Sequence, residues 1–174
     1  MHSIRKATAN DASEIAGIGR ISVELAHRES CSPTDMLEFL DNTYSIEAIK
    51  NELTNPLNIY HVIKTDNECA GFSKVLINAQ HDNIKRNDVM KLDRIYLLPK
   101  YFGQKLGAEL FNYNLQLALD KQQSGIWLFT WVGNKQAINF YLKAGFKIIG
   151  AHKFKVTETH YNEHHQMFLD LSSK

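Results

Sequence analysis

Leu92–Phe111 reads LDRIYLLPKYFGQKLGAELF, and Ile126–Phe146 reads IWLFTWVGNKQAINFYLKAGF. Each run passes from a strand-like apolar stretch through a glycine-bearing turn into a helix-like stretch. In the first, Phe102-Gly103-Gln104-Lys105-Leu106-Gly107-Ala108 lies at the turn. A tight turn that opens a helix leaves several backbone N–H groups unpaired, and with the helix dipole they form an anion site suited to a pyrophosphate. Glycine allows close approach and supplies positive φ angles. Alone, the motif reads equally as a strand-to-helix turn that binds nothing. In the second run Asn134 is placed to cap a helix through its side chain, a role that can coexist with a ligand contact. Tyr141 follows seven residues on, two helical turns along the same face. Taken alone, Tyr141 reads first as an amphipathic core tyrosine.

Working outward, Ser3–Ala7 reads as a first strand. Thr8-Ala9-Asn10-Asp11 has the Ser/Thr-x-x-acid form of a helix start. That helix is predicted to run to about Ala26, with Ile15, Ile18, Val23 and Leu25 among its apolar positions. The polar stretch Glu29–Asp41 is predicted to hold a short helix around Asp35–Leu40, and Ile46–Leu53 to be helical. Ile59–Thr65 and Ala70–Asn78 are strand-like about the turn residues Asp66-Asn67. Ala79–Asp88 reads as a loop and Val89–Leu97 as a strand. Lys105–Lys121 has helical periodicity through Leu106, Leu110, Tyr113 and Leu117. Ile126–Val132 is a near-continuous apolar run, expected of a buried strand. Lys135–Ala144 is a short helix ended by Gly145, the usual left-handed cap. Phe146–Phe154 and Gln166–Leu171 complete the strands. The expected order is β-α-α-β-β-β-α-β-α-β-β, an α/β mixed sheet with helices on both faces.

At 174 residues one domain spanning 1–174 is the default, with no linker or repeat to divide it. Apolar content of 44% and charged content of 22% are those of an ordinary globular chain. No apolar run reaches the roughly 18 residues of a membrane span. The N-terminal MHSIRKATAND lacks the apolar core of a secretory signal. Cys31 and Cys69 lack metal-type spacing, which suits a reducing cytoplasm. A net charge of +1 without a basic run argues against a nucleic-acid binder. A Rossmann dehydrogenase is disfavoured too, since no G-x-G-x-x-G follows a first strand. His160, His164 and His165 raise a metal reading; the 160/164 spacing suits two ligands on one helix, but the H-E-x-x-H glutamate is missing and the segment reads as loop entering strand. No metal is expected, and the cluster reads as surface histidines.

Together, Ile-Arg-Lys-Ala-Thr near the start, Phe102–Gly107 and the N-x-x-A-x-x-F-Y run carrying Asn134 and Tyr141 resemble the GNAT superfamily of acyl-CoA-dependent N-acyltransferases. The resemblance covers nearly the whole chain. It narrows to the bacterial PaiA-type spermidine/spermine N-acetyltransferases through Leu92-Asp93-Arg94-Ile95-Tyr96, Ile126-Trp127-Leu128 with Trp131, and Gly150-Ala151-His152 with Phe154. Two positions depart from the family's Q/R-x-x-G-x-G/A signature: Phe102 replaces its Gln or Arg, and Lys105 its next Gly. A right-handed helical Lys105 needs no glycine, and its ammonium favours a phosphate.

The resemblance implies a GNAT fold, acetyl-CoA as co-substrate and direct acetyl transfer to an amine. It assigns the pantetheine arm to the backbone of Ile95, Tyr96 and Leu97, with an N–H near Leu97 stabilising the oxyanion. Gly103, Gln104, Lys105, Leu106, Gly107 and Ala108 then hold the pyrophosphate, Asn134 contacts the cofactor, and Tyr141 protonates or hydrogen-bonds the leaving thiolate. Some relatives carry a catalytic Glu at the end of strand five, where Phe129 stands here. Asp93, matching an acid of the polyamine enzymes, is the first candidate for general base, with a structural carboxylate as the alternative. Neither cysteine is expected in the constellation, which disfavours an acyl-enzyme.

The family's acceptor groove lies between the first helices and the last strands. Glu24, Glu29 and Asp35, with Glu38 and Asp41, are candidates to line it, and carboxylates suit a polycation; each reads equally as a solvated surface acid. The tail TETHYNEHH (Thr157–His165) is poorer in acid than PaiA-type tails. The leading expectation is a cytoplasmic spermidine/spermine N-acetyltransferase. Its rivals are acetylation of another amine (an amino acid, an aminoglycoside-like compound, a protein N-terminus or lysine) and a non-catalytic acyl-CoA sensor. The family's common assembly is a homodimer; nothing in the sequence locates an interface.

Overall fold

A computed structural model describes residues 2–172. Strand β1 (His2–Lys6) is followed by a 3₁₀ turn and three helices, α1 (Ala12–His27), α2 (Pro33–Thr43) and α3 (Ile46–Thr54). Then come β2 (Ile59–Thr65), β3 (Glu68–Leu76), β4 (Val89–Leu97), α4 (Leu106–Asp120), β5 (Gly125–Trp131), α5 (Lys135–Lys143), β6 (Lys147–Lys155) and β7 (Tyr161–Asp170). Three helices separate β1 from β2, matching the three predicted helical segments, although the expected order counted only two. Ser32 and Ser45 define the starts of α2 and α3, since each accepts a hydrogen bond from the helix it caps, through Asp35 N and Ala48 N.

The strands form one seven-stranded mixed sheet in the order β1-β2-β3-β4-β5-β7-β6. Every pairing is antiparallel except β4 with β5. The β2–β3 hairpin turns through Asp66 (φ 48°) and Asn67 (φ 70°), the two positive angles of a type I′ turn, which these residue types tolerate. Tyr60, Val62 and Phe72 face one side of the sheet and pack with Ile15, Ile18, Leu40 and Ile49 of the first three helices. Ile126 and Leu128 face the other side, with Phe111 of α4 and Tyr141 of α5. Helices therefore cover both faces, as the sequence pattern predicts.

Two features of the central strands shape the molecule. Residues 74 and 75 of β3 pair with Arg94 and Leu92, so Asp93 is an extra, bulged residue on β4. Beyond this kink β4 leaves its parallel neighbour: β4 and β5 share only Val89↔Gly125, Met90↔Ile126 and Lys91↔Trp127 before parting. A wedge opens between Leu92–Leu97 and Leu128–Trp131.

Strand β7 begins at Tyr161, not at Gln166 as the sequence suggests. Its first half alternates, with Asn162, His164 and Gln166 buried on one face. Buried polar side chains disguised the strand as a loop. The 79–88 loop reads correctly; it lies against β5, where the Trp127 indole N–H donates to Ala79 O at 2.7 Å.

Candidate active site

The wedge opens into a cavity of about 330 Å³. It is floored by β4 and β5 and walled by α1 and α2 on one side, α5 on another, and β6–β7 at the far end. Leu98 N donates to Ala70 O on β3. Because strand peptide groups alternate direction, those of Ile95 and Leu97 face away from β3, into the wedge. The Leu97 carbonyl is engaged by the Ser22 hydroxyl of α1 at 2.9 Å, which ties α1 to the end of β4.

At the wide end of β4 a 3₁₀ turn, Pro99–Tyr101, leads to the predicted anion loop. The Tyr101 hydroxyl donates to Glu68 at 2.7 Å and Lys100 pairs with the same carboxylate, so the loop is fastened to the start of β3. Gly103 has φ 77°, which glycine adopts freely. Lys105 has φ 63° and ψ 3°, a left-handed conformation. This corrects the expectation of a right-handed Lys105: the family's glycine requirement persists at this position, and a side chain there costs about 1 kcal/mol. No side chain caps α4; the first backbone bond back to its N-cap is Glu109 N to Lys105 O at 3.0 Å. The N–H groups of Leu106, Gly107 and Ala108 therefore remain free for an anion. Gly107 packs closely on β4: a Cβ there would lie 3.3 Å from Leu97 Cδ1, which would have to give by a few tenths of an ångström. Gln104 binds back to Lys100 O at 3.2 Å, and Phe102 is exposed.

Asn134 caps α5, its side-chain oxygen accepting from Ala137 N at 3.1 Å. Its amide nitrogen is left to the cavity that Asn134 lines. Tyr141 lies on the same face and is buried. The turn after α5 is a Schellman closure: Phe146 N donates to Tyr141 O and Gly145 N to Leu142 O, with Gly145 at φ 98°. That closure and ring packing on Phe140 and Phe146 fix Tyr141 in place. Burial, reinforced by Tyr96, pushes the Tyr141 hydroxyl well above an ordinary phenol, so it is protonated at neutral pH.

Asp93 lines the cavity but is not free. Its carboxylate pairs with Lys91 at 2.7 Å and Lys74 at 3.1 Å, and Arg94 Nε lies at 3.8 Å. Burial alone would raise its pKa; the ammonium groups of Lys91 and Lys74 overcome that and bring it down to about 2. Glu52 of α3 completes the cluster, accepting from both Arg94 guanidinium nitrogens (3.2 and 3.0 Å) and pairing with Lys74 at 2.6 Å. A carboxylate this acidic is a poor proton acceptor near neutral pH.

The expected acceptor carboxylates lie elsewhere. Glu24 and Glu29 are exposed, and neither they nor Asp35 line the cavity. Asp35 accepts from the Ser32 hydroxyl at 2.6 Å and Thr157 at 2.9 Å, bracing α2 against the β6–β7 turn. Glu38 is exposed, and Asp41 pairs with Arg20 at 2.9 Å. The cavity is instead lined by His27, Phe39 and Lys91, which the sequence did not single out, with Phe154, noted only for its resemblance, and His164, noted only in the metal reading. Trp131, noted only for its resemblance, packs its ring 5.6 Å from that of His27. Burial lowers both His27 and His164 to about 4, so both are neutral. Cys31 also lines the cavity, contrary to expectation, but burial raises its thiol and leaves it unactivated. His164 and His165 are neighbours on a strand and face opposite sides; His160 bonds Ser30 O and Asn162 Oδ1, each at 2.9 Å. No group of three or more potential metal ligands occurs among the described residues.

A parallel strand pair parting at a bulge, an uncapped helix at one side and a buried tyrosine at the other define an acyltransferase-type cleft. The chain belongs to the acetyltransferase (GNAT) family, which matches residues 16–146. It is similar to an uncharacterized N-acetyltransferase in the pepI 3′ region of Lactobacillus delbrueckii subsp. lactis, with 28% identity over 87% of each chain. It is 25% identical to the peptidyl-lysine N-acetyltransferase YjaB of Salmonella typhimurium over 86% of each. Among solved structures, the PaiA N-acetyltransferase of Thermoplasma acidophilum in complex with coenzyme A superposes with a TM-score of 0.78 at 22% identity, covering 98% of this chain and 99% of that one. The fold is thus that of GNAT N-acetyltransferases.

Proposed function

We propose that the chain transfers the acetyl group of acetyl-CoA directly to the neutral form of a primary amine. The observation that carries this reading is the buried, protonated Tyr141 beside the open edge of β4. Pantetheine pairs with the outward peptide groups of Ile95 and Leu97, and the pyrophosphate sits on the free N–H groups of Gly103–Ala108. Asn134 adds its amide nitrogen. The amine nitrogen attacks the thioester carbon; the negative oxygen that develops is held by the Leu97 N–H. Collapse breaks the C–S bond, the thiolate takes the Tyr141 proton, and the proton shed by the amine returns through solvent to Tyr141.

A free primary ammonium with pKa near 10 is only about 0.1% neutral at pH 7. Asp93 was the expected base, but its low proton affinity supports a different role: it holds Lys74, Lys91 and Arg94 together. Those cations make the wall positive, and a positive wall lowers the pKa of an entering amine. The unactivated Cys31 supports transfer without an acyl-enzyme.

The polyamine acceptor, spermidine or spermine, remains one form of this reading; the fold likeness to PaiA is compatible with it, while the cavity lining offers it only Asp93. Peptidyl lysine, the substrate in YjaB's name, is another. A cytoplasmic location accords with the two free thiols. Release of CoA thiol from acetyl-CoA tests the proposal, with spermidine, spermine, putrescine, free amino acids, an aminoglycoside and a lysine peptide as acceptors. Brisk release with one class supports it. Silence across the panel with acetyl-CoA still bound would favour a sensor.

A further inference from the structure

The charges around the cavity do not cancel. Three cations, Lys74, Lys91 and Arg94, share two carboxylates, Glu52 and Asp93. Glu52 satisfies Arg94 bidentately and also takes Lys74, and those two cations are the more deeply placed, with side chains 12% and 10% exposed. Lys91 is 25% exposed and pairs only with Asp93, which Lys74 already engages. The excess positive charge belongs to the cluster, whose most exposed cation is Lys91. Its ammonium also lies 5.3 Å from the Trp127 ring and 5.7 Å from Phe129. The other titratable groups facing it are His152, stacked on Phe129 at 4.1 Å, and His81, whose ring lies 5.0 Å from that of Trp127. Neither supplies a negative charge.

A second amine brought to this end of the cavity would meet a like charge whose one carboxylate is shared with Lys74, set between aromatic walls where screening by water is weak. An anionic group would meet its complement. The walls beyond it, Phe39, Phe129, Trp131 and Phe154, are aromatic and fit a flat or apolar body.

Resting on the acetyl-transfer reading, we infer that the acceptor is an amine bearing a carboxylate or equivalent anion on a compact apolar or aromatic body, and that Lys91 determines this preference. The ammonium of Lys91 holds the anion while the amine points toward the open edge of β4. The positive wall that repels a polyamine is then the feature that selects the substrate.

The test compares acceptor pairs that differ by one carboxylate: phenylalanine with phenethylamine, 4-(aminomethyl)benzoate with benzylamine, and ornithine with putrescine. Their kcat/KM ratios are measured for the intact protein and for Lys91→Met and Lys91→Arg, each checked for folding by circular dichroism. Comparing one ratio across variants cancels the intrinsic reactivity of the amines. The carboxylate member of at least one pair is expected to lead by roughly tenfold or more, the scale of a charged hydrogen bond. Lys91→Met should lower that ratio about tenfold relative to the intact protein and Lys91→Arg should retain it. A preference for putrescine or spermidine, or a ratio unmoved in Lys91→Met, overturns the inference and leaves acetyl transfer standing. If no amine is acetylated, the transfer reading fails, and equilibrium dialysis of radiolabelled phenylalanine and 4-(aminomethyl)benzoate against the CoA complex decides the anion site. Binding lost in Lys91→Met sustains it; no binding overturns it.

Discussion

The two sides of the wedge are built differently. The side proposed for the cofactor consists of the edge of β4, the loop before α4 and the start of α5, and it offers mainly backbone: free N–H groups, left-handed turns and helix caps. The side proposed for the acceptor gathers side chains from α1, α2, β4, β5, β6 and β7, residues as far apart as His27 and His164. A backbone site is encoded locally and tolerates substitutions that keep its φ/ψ angles. A side-chain site is encoded by packing and changes with each substitution. That contrast explains how one cleft can keep its donor while its acceptor varies.

Four measurements break or sharpen the contrast. The largest effect is expected at Tyr141, where cofactor side and chemistry meet. Tyr141→Phe should lower kcat roughly a thousandfold, within the range of general acid catalysis, while leaving acetyl-CoA affinity unchanged. Undiminished turnover would remove Tyr141 from the mechanism.

Next comes acid sensitivity on the acceptor side. His164 is buried and its pKa lies near 4 in the folded chain against 6.5 as a free side chain. Between those values the unfolded chain binds a proton that the folded chain refuses. Stability should therefore fall as pH drops from 6.5 to 4, by about 3 kcal/mol for His164 alone. Urea unfolding across this range measures it, and His164→Gln should flatten the curve; an identical slope in the variant would assign the loss to other groups.

Third, Asp93→Asn leaves Lys74 and Lys91 without their shared carboxylate. A loss of about 2 kcal/mol of stability is expected, less than for a fully enclosed pair because Asp93 is partly exposed. The pH–rate profile should keep its shape. A hundredfold rate loss with the rising limb of that profile abolished would restore Asp93 as the base.

The smallest effect belongs to the backbone side. Lys105→Gly should relieve the left-handed strain and stabilise the chain by about 1 kcal/mol, a Tm rise of about 2–4 °C for a domain this size. Acetyl-CoA affinity should change little if the phosphates are held by backbone. A large loss of affinity would instead credit the ammonium.

Most of the fold was legible because its signals are local. Gly145 marked the end of α5, Asp66-Asn67 marked the hairpin, and Ile59–Thr65 and Val89–Leu97 carry their strand patterns openly. The start of β7 was hidden because Asn162 and His164 put polar groups where a buried strand face is normally apolar. Lys105 was misjudged because the sequence gives residue type and not φ.

By itself the sequence determined the family, the succession of strands, the glycine-bearing turn before α4 and the placing of Asn134 and Tyr141 on α5, since each depends on residues close together in the chain. Only the tertiary structure decided the acceptor side. It turned Glu24, Glu29 and Asp35 away from the cavity, bound Asp93 among three cations and brought His27 against Trp131. Those outcomes depend on where β4 bulges and parts from β5, and on which distant side chains then meet. Pairwise Coulomb and packing energies at such contacts are set by distance in space, which no local pattern records.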